Sequence, residues 1–344
     1  MKFTENDLGW AVGKGLISEE QRTALTAAFR ERAGTRAGLN FTNLLYYLGG
    51  LIIITSLTVY VGMNWQSLGG VGHLAVALVY GLSFLAAGHF FWHRTKWKIP
   101  GGMFITIAVC MIPLLIYSIQ ELSHWGGAPS PGTYRNFYTW IRAGWGLMEV
   151  GTIAGSLLAL RFYRFPFLTM PLAFTLWYFS MDVTPVIFGM SYSSSQLSYA
   201  SMIVGAIILF GAYAVDRRTR DDFAFWLYLF GLMAFWGGLT YMDSGSELGR
   251  FLYAMINFGL MVLSILLRRK AFLVFGALGM AIYIGHLAME VFKDSISFTF
   301  ALSGIGLLII LGGMVYHRNE ARLTAWMDRS LPSGFRAFLP QYRK

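Results

Sequence analysis

Seven side chains could carry chemistry in this chain: Glu149, His286, Glu290, Asp182, Arg142, Arg250 and Asn257. Each is polar or ionisable, and each lies within or at the edge of a long apolar run. Such groups are costly in lipid and are kept there by a partner or a function. Glu149 falls a few residues inside its run, about 8 Å deep at the helical rise. His286 falls at a similar depth in a later run. Glu290 follows it at i+4, on the same helix face. Asp182 ends a run. Asp243, Glu247 and Arg250 bracket a turn, Arg142 precedes the run of Glu149, and Asn257 is a neutral group set deeper.

Two chemistries fit these residue types. Glu149, His286 and Glu290 suit a proton- or cation-linked ligand site in a transporter or ligand-binding protein. Alternatively, His286 serves as a general base oriented by Glu290, with Arg142 or Arg250 binding an anionic headgroup. That would be a membrane enzyme acting on a lipid-linked or periplasmic substrate. A purely structural account also exists. Glu149 then pairs with Arg142 or Arg250, His286 with Glu290, and Asn257 joins helices, which leaves an accessory subunit without chemistry.

Other chemistries find no support. No Cys or His cluster has metal-ligand spacing, so no metal is expected. There is no Walker loop and no G-x-S-x-G. His73 and His89 stand sixteen apart on one run, a spacing that suits stacked haems, but His89 has no partner histidine at its depth. No cofactor is expected, and no residue is assigned as catalytic. The single cysteine, Cys110, excludes an intrachain disulfide.

The elements that position these residues are membrane spans. The chain is 56% hydrophobic and 13% charged, against roughly 25% charge in soluble domains. Residues Asn43 to Trp65 form an apolar run inside a longer interval, Ala37 to His93, with no Asp, Glu, Lys or Arg. A run of that length predicts a spanning helix. Nine more follow, at about 71–92, 99–119, 144–163, 165–182, 197–215, 222–241, 248–267, 271–291 and 297–316. The fifth is interrupted by Pro166 and Pro171, and Pro185 follows it. The fold class is therefore all-α, a polytopic bundle of about ten spans. Gly151-x-x-x-Gly155 predicts close packing of the fourth.

Ten alternating spans place 23 of the 27 Lys and Arg residues on one side, with only Arg135, Arg142, Arg250 and Lys293 on the other. The positive-inside rule then puts both termini in the cytoplasm. The loop at 120–143, rich in aromatics, is expected to face the periplasm.

Residues 1–36 are read as a cytoplasmic helical pair, 43–316 as the bundle and 317–344 as a tail. Ser18-Glu19-Glu20-Gln21 is a capping box that opens the second short helix, and Gly15 ends the first. Two such helices are too small for a core of their own and are expected to dock on the membrane body, on a protein partner or on the lipid surface. Five acidic against six basic residues there argue against nucleic acid. No cleavable signal peptide is expected. The tail alternates Leu323, Trp326, Leu331 and Phe335 with Arg322, Arg329 and Arg336. It fits an amphipathic segment on the anionic inner leaflet.

Three stretches carry a resemblance: LGWAVGKGLISEEQ, then LGG with an apolar span ending in Asn64-Trp65, then LPSGFRAFLP after His317-Arg318. Together they resemble a family of bacterial polytopic membrane proteins defined as a domain of unknown function. The resemblance implies an inner-membrane location. It implies no substrate, cofactor or catalytic residue.

Overall fold

The computed structural model describes residues 5–34, 41–95, 97–123, 145–188, 193–242 and 245–291, with isolated residues at 300, 303, 306 and 307. Most of the tenth expected span, the basic tail, most of the loop at 120–143, Arg142 and Asp243 lie outside the described residues.

Nearly all the described residues are helical, joined by short turns and extended links, and no strand occurs among them. Two short helices come first, α1 (Glu5–Gly13) and α2 (Glu19–Gly34). Gly15 takes a positive φ of 68° between them. The capping box forms as its residue types require: the Gln21 amide donates to Ser18 Oγ at 3.1 Å, and the Ser18 amide donates to Gln21 Oε1 at 2.9 Å.

The bundle follows as α3 (Phe41–Met63), α4 (Trp65–Arg94), α5 (Lys98–Cys110) and α6 (Ile112–Ser123). Next come α7 (Trp145–Phe162), a 3-10 turn (Pro166–Leu168) and α8 (Thr169–Phe188). Then follow α9 (Ser194–Arg218), α10 (Phe225–Tyr241), α11 (Glu247–Leu267) and α12 (Lys270–His286), extended by a π turn (Leu287–Val291). Among the described residues six stretches are long and apolar enough to cross a membrane: 43–63, 65–94, 98–123, 194–218, 247–267 and 270–290. The helix α10 is apolar but shorter, at 17 residues.

Three elements differ from the reading of the sequence, each for a local reason. The third span is two helices broken at Met111. Pro113 lacks an N–H and sits in the first turn of α6, where none is needed. The second begins early, at Trp65, and kinks at Gly69, whose φ of 57° suits only glycine. The fifth runs past Pro185 to Phe188. One missing backbone bond is tolerated where neighbouring helices pack around it.

Successive spans run antiparallel, with α5 and α6 together making one of them. We term the end with the α8 entry and the α9–α10 and α11–α12 turns basal, and the end with the α3–α4 turn apical. Stacked rings tie the basal end together: Tyr47 on Phe167 at 5.2 Å and Phe167 against Trp226 at 5.1 Å. In the first half α5 is the central helix. Met103, Ile105, Thr106, Ile107 and Val109 are all buried on it. It can approach α4 closely because Gly88 and Gly101 face each other; a Cβ at 101 would lie 2.9 Å from the Trp92 amide nitrogen. The Gly151-x-x-x-Gly155 pair receives Ile116 and Ile112 of α6, as small-residue packing predicts. In the second half Ala173, Ile208, Tyr228, Leu232, Leu260 and Phe272 form the core. Large apolar side chains such as Val71, Leu82, Ile207 and Phe210 point outward. In water such a surface would drive association; against lipid tails it carries no penalty.

Candidate functional site

The predicted residues gather in separate apical clusters rather than in one. The first lies between α7 and α8. Glu149, Thr152 and Ser156 recur at i, i+3 and i+7, so they form one stripe of α7, and all three are buried. On α8, Thr175, Tyr178 and Asp182 share a face by the same spacing. Glu149 is 4% exposed and makes a side-chain hydrogen bond with Asp182. A hydrogen bond between two carboxyl groups requires a proton on the pair. The other Glu149 oxygen, Oε1, is buried with no hydrogen-bond partner. An orphaned buried acceptor costs about 1–3 kcal/mol, so it marks a place where a proton or cation would be stabilised.

The second cluster joins α11 to the end of α12. Arg250 Nη1 donates to His286 Nε2 at 3.0 Å, and His286 Nδ1 lies 2.9 Å from Glu290 Oε2. Arg250 also pairs with Glu247 at 2.8 Å and Glu290 at 3.5 Å. The i+4 pairing of His286 with Glu290 is thus present, on a helix that widens into a π turn at Leu287. Arg250 is engaged here and not with Glu149. Both His286 ring nitrogens are occupied, and Glu247 and Glu290 are largely exposed.

Asn257 is an interhelical bond, as its depth suggested. Its Oδ1 accepts from Trp236 Nε1 at 3.0 Å, and its Nδ2 donates to the Tyr253 carbonyl at 2.8 Å.

A third cluster was not anticipated. His73, 1% exposed, sets Nδ1 3.1 Å from Glu121 Oε2, with Trp65 tilted against its ring at 4.3 Å and Tyr117 edge-on at 5.7 Å. His89, its former spacing partner, instead meets the Tyr163 hydroxyl at 2.8 Å. No sequence signal joins residues 73 and 121. The Asn64-Trp65 step, which ends a span on an amide and an indole, is the nearest cue.

At the basal end Arg269 donates through Nε and Nη2 to both oxygens of Asp216, at 3.1 and 2.6 Å, and through Nη1 to Asp222 at 2.7 Å. Burial works against the charged guanidinium, but the bonds and charges of Asp216 and Asp222 outweigh it and raise its pKa. No group of three or more His, Cys, Asp or Glu residues among the described residues is arranged to hold a metal.

No curated protein and no solved structure matches the chain. The first two resembling stretches fall almost entirely within the segment that a family model covers, and LPSGFRAFLP falls beyond it. The apolar helices and that match agree: residues 10–148 match the family described as Predicted membrane protein (DUF2157), and the chain is a membrane protein of unknown function.

Proposed function

We propose that this is a transporter-like, ligand-binding protein of the bacterial inner membrane, and that the Glu149–Asp182 pair is its proton- or cation-linked site. The observation that carries the reading is the buried Glu149 carboxyl, with one oxygen shared with Asp182 and the other unpartnered. Acids inside a bundle most often mark proton or ion pathways. The stripe of Thr152 and Ser156 continues polar character along α7 from Glu149. Arg250, His286 and Glu290 then form a charged group at the rim, distinct from the buried acids. The enzyme reading loses ground at His286, because neither ring nitrogen is left open to act as a base.

Ten spans, with both termini and the basal end in the cytoplasm, complete the proposal. The 23-to-4 division of Lys and Arg supports that orientation. In it the acid pair lies in the periplasmic half. Residues 1–36 form a cytoplasmic surface for a protein partner, and 317–344 rest on the anionic leaflet.

Thermal unfolding of the purified protein in sodium, potassium and choline chloride at equal ionic strength tests the site. A ligand that binds only the folded state raises the midpoint by mass action. The wild type responds to one small cation or to acidification, and Glu149→Gln does not. An identical response in both proteins contradicts the proposal.

A further inference from the structure

A groove of ≈ 330 Å³ runs down the side of the first half, between α4 and α7, with α5 and α6 as its floor. Ala77, Leu82, Leu85, Ile112, Leu158 and Phe162 line it. Leu82, Leu158 and Phe162 are each more than half exposed, so the groove opens sideways and not to the bundle axis. Its basal end is closed by Tyr163, whose hydroxyl meets His89 at 2.8 Å.

The charges around that end have one sign. Arg161 and Arg164 flank Phe162 and Tyr163 in the chain. Arg94 follows His93, whose ring lies 5.8 Å from that of Tyr163. Arg94, Arg161 and Arg164 are exposed, and none makes an ion pair among the described residues. No Asp or Glu occurs between Ala37 and Gln120 or between Val150 and Met181, which includes α4, α5 and nearly all of α7. An apolar slot thus ends in three uncompensated arginines beside a tyrosine hydroxyl.

We propose that this groove is a binding site for an anionic phospholipid. One acyl chain would lie between α4 and α7, and the phosphate would sit at Arg94, Arg161 and Arg164. Length favours a lipid tail over a helix. From Ala77 to Leu85 the groove spans about 12 Å at the helical rise. That approximates half of a hydrocarbon core roughly 30 Å thick, whereas a spanning helix needs the whole. Charge favours an anionic headgroup over a zwitterionic one, because the attraction of arginine for phosphate has no local acid to satisfy it. The site is separate from Glu149 and Asp182 and does not depend on their role.

Native mass spectrometry of the full chain in detergent, titrated with phosphatidylglycerol or phosphatidylcholine, tests this. The wild type should retain one phosphatidylglycerol at least about tenfold more strongly than phosphatidylcholine. Each arginine near a lipid phosphate is worth roughly a fivefold preference. Arg161→Ala with Arg164→Ala should therefore lower phosphatidylglycerol retention by up to roughly 25-fold and phosphatidylcholine retention by less, because the choline cation already offsets part of its phosphate's charge, so the preference between the two lipids narrows. Gly81→Leu should abolish both. A Cβ at residue 81 meets only Met111 Cβ, at an ordinary contact distance of 3.6 Å, and Gly81 lines the groove, so a larger side chain there takes up groove space. A photo-crosslinker at Leu158 gives a second readout, independent of that variant, and should label lipid. Equal retention of the two lipids, wild-type retention in Gly81→Leu, or a Leu158 crosslink to protein would each overturn the proposal.

Discussion

The side-chain amide of Asn257 occupies the space that a β-carbon at Gly279 would need. The absence of a side chain at 279 is what lets Asn257 reach Trp236 and hold α10, α11 and α12 together. Gly279→Ala should therefore lower stability by about 1–3 kcal/mol, the usual cost of overpacking. The loss appears as a lower unfolding midpoint of the purified protein. Asn257→Ala removes the obstacle along with its hydrogen bonds. In the double variant the two losses should add to less than their sum, since the sites touch. Strict additivity would mean that the amide does not fill this space.

Arg269 and Asp216 yield a second prediction. Both are buried, and their bidentate contact ties α9 to the α11–α12 turn. Arg269→Met removes the bidentate partner of a buried carboxylate and should cost about 3–5 kcal/mol. Arg269→Lys should not restore the loss, because an ammonium cannot make the two parallel bonds. The pH dependence has a defined sign. The folded pKa of Arg269 is raised, so its contribution is complete below the unfolded value and is lost only as pH rises through the folded one. Its double-mutant coupling to Asp216 should stay flat between about pH 6 and pH 10. A decline within that window contradicts the assignment.

The helices were legible because their signal is local. Charge-free runs, the Ser18–Gln21 box and the Gly151–Gly155 spacing each specify their own structure within a few residues. The His286–Glu290 contact was legible for the same reason, being one helical turn apart. The partner of Glu149 was not. Pro185 suggested that the fifth span stops near Asp182; the helix runs on to Phe188, which moves Asp182 from an end to an interior position. The pairs His73–Glu121 and Asp216–Arg269 are 48 and 53 residues apart. Only the order in which helices pack brings them together, and hydropathy carries no information about that order. Arg269 is one of the 23 basic residues that the charge count places on the cytoplasmic side. In the structure it is buried and neutralised by Asp216 and Asp222, so it weighs less in the charge argument than Arg217 or Lys270.

Orientation is tested by reporter fusions after Lys98, Ala128 and Lys270. They should read cytoplasmic, periplasmic and cytoplasmic, as the uneven division of basic residues requires. The cytoplasmic orientation would put the lipid groove in the inner leaflet, so a reversed result would move it to the outer leaflet without removing it.

The central claim is that the Glu149–Asp182 pair is a working proton or cation site and not a sealed structural contact. Infrared spectroscopy of the protein in proteoliposomes addresses it directly. A pair that shares a proton shows the carbonyl stretch of a protonated carboxyl group. Glu149→Gln and Asp182→Asn should each remove that band, which assigns it. In the wild type the band should shift on transfer to deuterium oxide within seconds, and a bound cation should diminish it as its concentration rises. A band that both variants remove, yet that neither exchanges with solvent nor responds to any cation, would make the pair purely structural and contradict the account.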